Sequence, residues 1–455
     1  MYEIRKVYIM SSSINRHFTP VTLLQFAAPS IIMMVFMSLY TIVDGVFISR
    51  FVGSNALSSL NIVFPVINVV IAIGTMFATG GNAIISKYLG ENKPQRARAC
   101  LTQFVIVGVV VSIIIAALTM IFLDPICYFL GSNDELLSDC RIYLTIGVLF
   151  GPACILQSLF QSFFVTAERP GFGLALTIAG GLTNIVMDYV LIVPCSMGIA
   201  GAAIATGLGQ MIPAVAGLIF FMIPNKPLHF APFSFHTKEI LSAAYNGSSE
   251  MVGQLSTAIV TIMFNIILMR LAGSSGVAAI TILMYGQFLF NAFYLGYAIG
   301  IAPIVGFQYG AHNHSELKNV YKITYAFTVI SSVIVTIAAV FLATPIVSVF
   351  TKEADTFRLA NEGFKIFAIN FLFSGINIVS SGFFTALSNG KISALISFGR
   401  TLVFTVIFLI TLPNIIGVTG AWIAVPAAEA ATFIVSLLML IKYFHIPGPK
   451  NYFCS

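Results

Sequence analysis

Residues 39–53 read LYTIVDGVFISRFVG, and this stretch indicates both the fold class and a functional site. Asp44 lies in it with apolar residues on both sides, inside a hydrophobic run that extends from about residue 20 to residue 51. A carboxylate in the apolar core of a membrane is costly unless it faces a cavity, binds a cation or holds a proton. We therefore interpret Asp44 as a functional residue of a membrane-spanning helix.

The composition of the whole chain supports a membrane protein. Its 455 residues are 58% hydrophobic and 8% charged, with a mean hydropathy of +0.98, whereas soluble domains carry about 25% charged residues. A membrane-spanning helix needs about 20 mostly apolar residues. Twelve such runs occur, at residues 20–51, 55–75, 93–123, 136–166, 171–193, 198–223, 238–271, 276–299, 316–346, 356–388, 391–412 and 418–444. The sequence therefore predicts an all-α integral membrane protein with twelve transmembrane helices.

The basic residues are distributed unevenly between the loops. Most lie at the N-terminus, after every second helix and in the C-terminal tail: Arg5, Lys6, Arg16, Lys87, Lys93, Arg96, Arg98, Arg169, Lys226, Lys238, Lys318, Lys322, Lys391, Lys442 and Lys450. The alternate loops carry few: Arg50, Arg141, Arg270, Lys352 and Arg358. Because cytoplasmic loops are enriched in Lys and Arg, both termini are predicted to lie in the cytoplasm, with the chain in the inner or plasma membrane. The net charge of +6 is explained in this way without a nucleic-acid partner, and residues 1–18 show no pattern of a cleaved signal peptide.

Motifs of enzymes, ATPases and metal centres are absent from the sequence. The six cysteines form no CxxC pair, no HExxH or GxxxxGK[ST] sequence occurs, and none of the six histidines lies well inside an apolar run. These observations predict neither an enzyme nor an ATP-driven pump, and no cofactor. Cys127 and Cys140 fall on one outer loop, where a disulfide is an alternative to the two unpaired thiols that we favour.

The second half of the chain repeats the first at a shift of about 220 residues. The matching pairs are residues 50–54 with 270–274, Gly80 with Gly300, Gly90 with Gly310, 124–126 with 344–346, Phe163-Phe164 with Phe383-Phe384, Pro194 with Pro413, and 198–205 with 417–424. We expect an N-terminal lobe of residues 1–223, a cytoplasmic linker of 224–237 and a C-terminal lobe of 238–455. Each lobe has six helices, an even number, so the two are parallel repeats of a kind known in transporters. Two similar bundles on a flexible link can rock against each other, as alternating access requires.

Four further polar residues are expected near Asp44. Asn184 and Asp188 are spaced i,i+4 in the fifth predicted helix and therefore share one of its faces. At 1.5 Å per residue, Asp44 and Thr206 each lie about 12 Å from the outer ends of their helices, and Asp188 lies about 9 Å from its own. Tyr40 is one turn from Asp44 on the same side. All five groups are thus predicted at one level in the outer half of the membrane.

The corresponding positions of the second repeat are apolar, with Phe264 for Asp44 and Ile407 for Asp188. The site is therefore expected in the N-terminal lobe alone. Two neighbouring carboxylates in an apolar bundle disfavour double ionisation, so the pair is expected to bind a proton or a monovalent cation such as Na⁺, and no other metal. The alternative is a polar cluster that only joins the helices, which we favour less because buried charge is expensive.

Several other residues inside the spans each admit two interpretations. Pro29 removes one backbone hydrogen bond from the first helix, so it is either a hinge that bends the helix when Asp44 is protonated or a tolerated membrane proline. Arg400 and Glu429 carry opposite charges on consecutive helices and are interpreted as a structural pair rather than a transport site. Glu250 is predicted nearer the cytoplasmic end of its helix, where a solvated or gating role is as open as a binding role.

Two pairs of amide side chains are candidates for lining a cleft between the lobes. Each pair is spaced i,i+4 and so presents both amides on one helix face. Interhelical hydrogen bonding is the alternative role. The pairs are Gln157 with Gln161 and Gln287 with Asn291.

The two helix-ending motifs GGNAIISKYLGENKPQRA (80–97) and GIAPIVGFQYGA (300–311), with two sets of six helices, resemble the MATE (multidrug and toxic compound extrusion) transporters over nearly the whole chain. The resemblance implies two six-helix bundles in a V around a central cleft. It also implies export of bulky, often cationic amphipathic compounds in exchange for protons or sodium ions.

Within that family the chain looks like the DinF branch, which includes the MepA-type multidrug exporters. That branch has its coupling site in the N-terminal lobe, and its motif residues match Asp44, Asn184, Asp188, Thr206, Tyr40 and Pro29. The NorM branch has acidic residues midway along helices 7 and 10, where this chain reads LSTAIVTIMF (255–264) and SGINIVSSGFF (374–384). A C-terminal sodium site of the NorM kind is therefore not expected.

The sequence thus predicts a monomeric secondary antiporter that exports organic cations and amphipathic drugs, driven by a proton or sodium gradient and surrounded by membrane lipid. Two alternatives remain: a flippase for lipid-linked oligosaccharides of the same superfamily, and an ion channel. A flippase of that kind needs basic residues in its cleft, and only Arg400 lies deep here. A channel has no need of two rocking lobes.

Overall fold

The computed structural model describes residues 14–52, 54–224, 226–232, 235–446 and 451–453. Arg5, Lys6, Lys450 and Cys454 lie outside the described residues, as do Gly53 and the side chains of Arg50 and Ser54. All regular elements in the described part are helical. The all-α prediction is therefore confirmed.

The first half of the chain forms six spans. Its helices are α1 (Pro20–Phe51), α2 (Ser54–Gly90), α3 (Pro94–Ile121), α4 (Leu123–Phe129), α5 (Leu137–Leu149), α6 (Gly151–Thr166), α7 (Pro170–Ile192) and α8 (Gly198–Met222). Helices α5 and α6 form one span that bends by 48°. The bend lies where Pro152 enters the first turn of α6, since proline cannot supply the amide that would continue the preceding helix. The short α4 lies between spans and was not predicted.

The second half of the chain contains two long helices that are each interrupted by a non-helical residue. Its helices are α9 (Thr237–Gly310), α10 (His314–Phe350), α11 (Ala354–Phe367), α12 (Phe371–Ala386), α13 (Gly390–Phe398) and α14 (Phe404–Leu440). A 3₁₀ turn at Ala368–Asn370 joins α11 to α12, and π-helical turns at Gly399–Val403 and Ile441–His445 flank α14. The 74 residues of α9 would measure about 110 Å as a straight helix, far more than the roughly 30 Å of a bilayer core.

Glycines with positive φ divide these long helices. Gly273 (φ 63°, ψ −154°) splits α9 into arms of residues 237–272 and 274–310, and Gly417 (φ 63°, ψ −141°) splits α14. Only glycine adopts this backbone region without strain. Gly417 answers Gly198, which also has positive φ (54°) and joins α7 to α8. With these two breaks and the bent α5–α6 pair, the apolar helices of the described part make twelve spans, as predicted.

The helix boundaries differ from the predicted ones mainly at the end of the molecule that carries Lys87. Helix α2 continues to Gly90, where residue 75 was predicted, and the second arm of α9 continues to Gly310, where residue 299 was predicted. The α2 extension contains glycine, serine and lysine, and the α9 extension contains glycine, proline and glutamine; these residues lower the local hydropathy and so hide the end of the helix. The helices therefore extend beyond the apolar stretch by several turns.

Large apolar side chains cover much of the outer surface. Ile121 is 71% exposed, Phe341 79% and Val349 79%, and they lie on α3 and α10. Exposed apolar surface of this extent marks contact with a membrane or a partner. In a chain with twelve apolar spans, the surrounding phase is lipid.

The two halves of the chain meet through α1 and α2 of the first half and α9 of the second. A Cβ atom on Gly80 would lie 2.0 Å from the carbonyl oxygen of Ala243, and one on Gly247 would lie 1.9 Å from that of Met76. A second crossing brings Gly90 and Gly310 against the other helix in the same way. Small residues permit such close backbone packing, so the halves are in tight contact at the end that carries Lys87.

Candidate functional site

Three of the predicted site residues converge between α1 and α7. Asp188 is fully buried and Asn184 is 3% exposed. Asp44 interacts with both of them. Five polar atoms of this cluster have no hydrogen-bond partner among the described protein atoms: Asp44 Oδ1, both Asp188 oxygens and both amide atoms of Asn184. Buried polar groups are normally paired, so these five atoms need partners that the described protein atoms do not supply.

Glycines bring the three helices of the site close together. A Cβ on Gly180 of α7 would lie 2.6 Å from the carbonyl oxygen of Gly209 on α8. On the other side, a Cβ on Gly181 would lie 2.7 Å from Cε1 of Phe36 and 3.0 Å from Cδ1 of Tyr40 on α1. Helix α7 is therefore held between α1 and α8, and the i,i+4 pair of Asn184 and Asp188 faces into this contact.

The electrostatics of the cluster favour neutralisation. The carboxyl groups of Asp44 and Asp188 interact with each other and with Asn184, and no described ion pair includes either of them. Two buried carboxylates without a basic partner cannot both stay ionised cheaply. A shared proton, or one small cation held by carboxylate and amide oxygens, removes the excess charge. The described residues contain no group of three or more His, Cys, Asp or Glu side chains placed to hold a metal ion.

The other two predicted coupling residues, Tyr40 and Thr206, differ from each other in their contacts with the carboxyl pair. Tyr40 faces Asp44 and Gln157, and its ring packs 6.0 Å from that of Phe36. The Thr206 hydroxyl donates to the carbonyl oxygen of Ala202 at 3.0 Å, and no described hydrogen bond joins it to either carboxyl group. Tyr40 thus belongs to the cluster, whereas Thr206 turns its proton back to its own helix.

Two tyrosines near the carboxyl pair were missed by the sequence analysis. Tyr143 of α5, 8% exposed, interacts electrostatically with both Asp44 and Asp188. Tyr285 of the second α9 arm, in the other half of the chain, interacts electrostatically with Asp44. No local pattern marks either residue, because their proximity to Asp44 arises only from helix packing.

Pro29 lies where α1 meets the second arm of α9. Helix α1 is continuous from Pro20 to Phe51 with Pro29 inside it. Next to the proline, a Cβ on Gly296 would lie 2.6 Å from the carbonyl oxygen of Ser30 and 2.5 Å from Cα of Ile31. The helix turn weakened by proline is therefore the turn that contacts the opposite half.

The four amides proposed for the cleft lie in two environments. Gln157 and Gln161 are 7% and 9% exposed, and Gln161 donates to the Thr177 hydroxyl at 3.3 Å. Gln287 and Asn291 are half-buried, and Asn291 accepts a hydrogen bond from Ser374 at 3.1 Å. These contacts join helices, which is the alternative role considered for them.

Arg400 and Glu429 form a buried ion pair, with Nη1 and Oε1 3.3 Å apart. Arg400 lies in the π-helical turn between α13 and α14. The other Glu429 oxygen accepts from Asn377 at 2.7 Å, and Asn377 in turn accepts from Ser436 at 2.8 Å. Glu250 faces Arg400 from α9. The guanidinium therefore lies within the field of two carboxylates.

Cys127 and Cys140 are free, buried thiols. The Cys140 thiol donates to the carbonyl oxygen of Ser59 at 3.7 Å. Both side chains pack in one apolar cluster. The structure therefore has two unpaired thiols where a disulfide was the alternative.

Comparison with known proteins gives consistent matches. The MatE family model matches residues 29–190 and again residues 251–411. The multidrug export protein MepA of Staphylococcus haemolyticus is 23% identical over 429 residues, and that of Staphylococcus saprophyticus is 20% identical over 425, with 92% of each chain covered. A solved structure described as the outward-facing conformation of a multidrug resistance MATE family transporter of the MOP superfamily is similar with a TM-score of 0.88 and 20% identity. That match covers 94% of this chain and 96% of the other.

Proposed function

The chain belongs to the MatE family, and from this membership we propose that it is a multidrug exporter coupled to proton entry through Asp44 and Asp188. It is a multi-pass membrane transporter and not an enzyme. The exported compounds are proposed to be organic cations and amphipathic drugs, and its MepA relatives are named multidrug export proteins. The observation that carries the coupling proposal is the buried Asp44–Asn184–Asp188 cluster, with its unpaired polar atoms.

Protonation would change the hydrogen bonding of this cluster. An ionised carboxyl pair offers only acceptors, so neither carboxylate can bond the other. A proton on one of them supplies an O–H donor for the other carboxylate or for the Asn184 carbonyl. Each buried polar group left unpaired costs about 1–3 kcal/mol, so binding one proton alters the stability of the α1–α7 contact by an amount that can shift a conformational equilibrium. A sodium ion held by the same oxygens would act in the same direction.

Helix α1 links the cluster to the contact between the lobes. Asp44 lies near one end of α1, and residues 27–31 of the same helix pack on Gly296 and Gly300 of the other lobe. Pro29 lies between these packed residues, so bending there would move the Asp44 end relative to the contact. We propose that proton binding bends α1 at Pro29 and that this motion releases the cargo.

The orientation and organisation follow the charge pattern. We propose that the basic ends of the helices, including both termini, face the cytoplasm, and that residues 1–223 and 238–455 form the two moving lobes joined by 224–237. With the lobes in contact at the basic end, the cleft opens to the outside. The functional unit is proposed to be a monomer, driven by a gradient without a cofactor.

The alternative functions have less support. In a flippase for lipid-linked sugars, the cleft needs basic groups for pyrophosphate, but Arg400 is already paired with Glu429 at 3.3 Å. In an ion channel, the tight crossing of α2 and α9 would have no reason to separate. Export by alternating access requires the crossing of α2 and α9 to open and close.

Ethidium efflux in everted vesicles tests the proposal. Asp44→Asn and Asp188→Asn are each expected to abolish gradient-driven efflux, and a protonophore is expected to abolish it in the wild type at constant sodium. Asp355→Asn is the matched control, because this carboxylate is 77% exposed at the chain surface. Normal efflux in both cluster variants would refute the proposed site. Efflux that resists the protonophore but requires sodium would assign Na⁺ as the coupling ion at the same site.

A further inference from the structure

A cavity of about 480 Å³ lies between the lobes at the basic end of the molecule. It is separate from the carboxyl cluster, which lies within the first lobe. Residues of α2, α3, α9 and the α12–α13 loop line it. They include three basic residues, Lys87, Arg96 and Lys238.

The cavity has an excess of positive charge. Glu239 is the one acidic residue among those lining it, and its Oε1 accepts from the Tyr88 hydroxyl at 3.5 Å. Lys87 contacts Glu91 at 3.9 Å, but the other oxygen of Glu91 lies 2.7 Å from Lys93. The described ion pairs include neither Arg96 nor Lys238. Two of the three cations therefore have no carboxylate partner in the described part of the chain.

Aromatic rings help to hold the cationic groups. The Arg96 guanidinium lies 6.0 Å from the ring centroid of Tyr88, and the Lys87 ammonium lies 5.5 Å from that of Tyr309. Such cation–π contacts restrain a side chain without neutralising its charge. Both groups therefore remain able to bind an anion.

A buried amide adds a second kind of recognition. Asn246 lines the cavity and is 3% exposed. Its Nδ2 donates to the Thr385 carbonyl oxygen at 2.7 Å, which fixes the amide orientation. Its Oδ1 is buried and has no hydrogen-bond partner among the described atoms. This oxygen requires a donor, which a fully ionised anion cannot provide and a hydroxyl can.

We propose that this cavity binds a phosphate group that carries a hydroxyl, either hydrogen phosphate or the phosphoglycerol headgroup of an anionic lipid. Lys87, Arg96 and Lys238 bind the phosphate oxygens through charge-assisted hydrogen bonds. The hydroxyl donates to Asn246 Oδ1. Lys238 and Glu239 of the first turn of α9 line the cavity, and the dipole of a helix N-terminus favours an anion there.

The ligand would stabilise one conformation. Lys87 and Arg96 belong to one lobe, and Lys238 and Asn246 belong to the other. The tight crossing of Gly80 and Gly247 lies on the same pair of helices. Because the site is complete only when the lobes touch here, an occupant favours the state with this end closed. That consequence rests on the proposed alternating access, whereas the binding itself does not.

Calorimetry on the full chain in phosphatidylcholine nanodiscs tests the binding. Inorganic phosphate is titrated in one arm, and dihexanoyl phosphatidylglycerol in the other, with dihexanoyl phosphatidylcholine as the lipid blank. The double variant Lys87→Gln, Arg96→Gln and the single variant Lys238→Gln are expected to weaken binding about tenfold or more, since hydrogen bonds to charged groups contribute at least that much. Lys322→Gln is the matched control, because this exposed lysine on α10 does not line the cavity.

The outcomes are distinct. The site is supported if phosphate or phosphatidylglycerol binds saturably, and if the cavity variants weaken this binding while Lys322→Gln leaves it unchanged. The arm in which binding occurs identifies the source of the phosphate. No binding in either arm would overturn the proposal, and so would equal binding by all four proteins. Ethidium efflux of the same variants is measured separately in everted vesicles, so failed export and failed binding remain distinguishable.

Discussion

Replacing Gly247 by alanine is expected to prevent closure of the basic end of the molecule. In the described state, the added Cβ would lie 1.9 Å from the Met76 carbonyl oxygen. Because this neighbour is backbone, α2 and α9 must move apart by about 1.5 Å to restore an ordinary contact. Overpacking of this kind typically costs about 1–3 kcal/mol, which shifts a conformational equilibrium by about 5–150-fold.

The variant separates closure from folding. Alanine favours a helix over glycine by about 1 kcal/mol, and this gain applies in both conformations. The thermal stability of Gly247→Ala should therefore be retained while its closed population falls. Gly253→Ala on the same helix is the matched control, because its Cβ would meet only Thr401 Cγ2, at 3.9 Å.

Spin-label distances provide the assay. Labels at the exposed Gln95 and Ser315, in a variant without native cysteines, report the separation of the lobes at the basic end. The wild type and Gly253→Ala should give a short distance, and Gly247→Ala a longer or broader one with reduced ethidium efflux. An unchanged distance distribution together with normal efflux in Gly247→Ala would refute the assignment of this crossing as the closed contact.

Three further predictions concern stability and the thiols. Glu429→Gln should lower the melting temperature in detergent, because breaking a buried ion pair costs about 3–5 kcal/mol. The double variant Arg400→Met, Glu429→Leu should recover most of the lost melting temperature. If neither effect is observed, the two residues are not a structural pair. The hydrogen-bonded Arg141 guanidinium holds the pKa of Asp124 below its usual range, so the stabilisation is present above the ordinary aspartate pKa and is lost as the pH falls through the lower folded value. The melting-temperature difference between wild type and Asp124→Asn should accordingly shrink in acid, and a constant difference would argue against the linkage. Cys127 is buried and unpaired, so a maleimide should label it only after unfolding, and labelling that requires a reductant would reveal a disulfide instead.

The sequence predicted the charged residues of the candidate site but not the residues that surround them. Asp44 and Asp188 stand out because carboxylates are rare in apolar helices, and the i,i+4 spacing placed Asn184 beside Asp188. Depth along the helix also placed Thr206 at the same level, but depth does not define the direction of a side chain. Its hydroxyl donates within α8, and Tyr143 lies near the pair instead.

The sequence by itself determined the membrane class, the twelve spans, the internal repeat and the carboxyl pair, because these follow from apolar run lengths, matching residues and the cost of buried charge. The tertiary structure alone decided which helices touch. The glycine crossings of α2 with α9, the electrostatic interaction of Tyr285 with Asp44 and the basic cavity between the lobes join residues that are up to about 300 positions apart in sequence. A helix period specifies which residues share a face, but the partner of that face depends on how all twelve helices pack around one another.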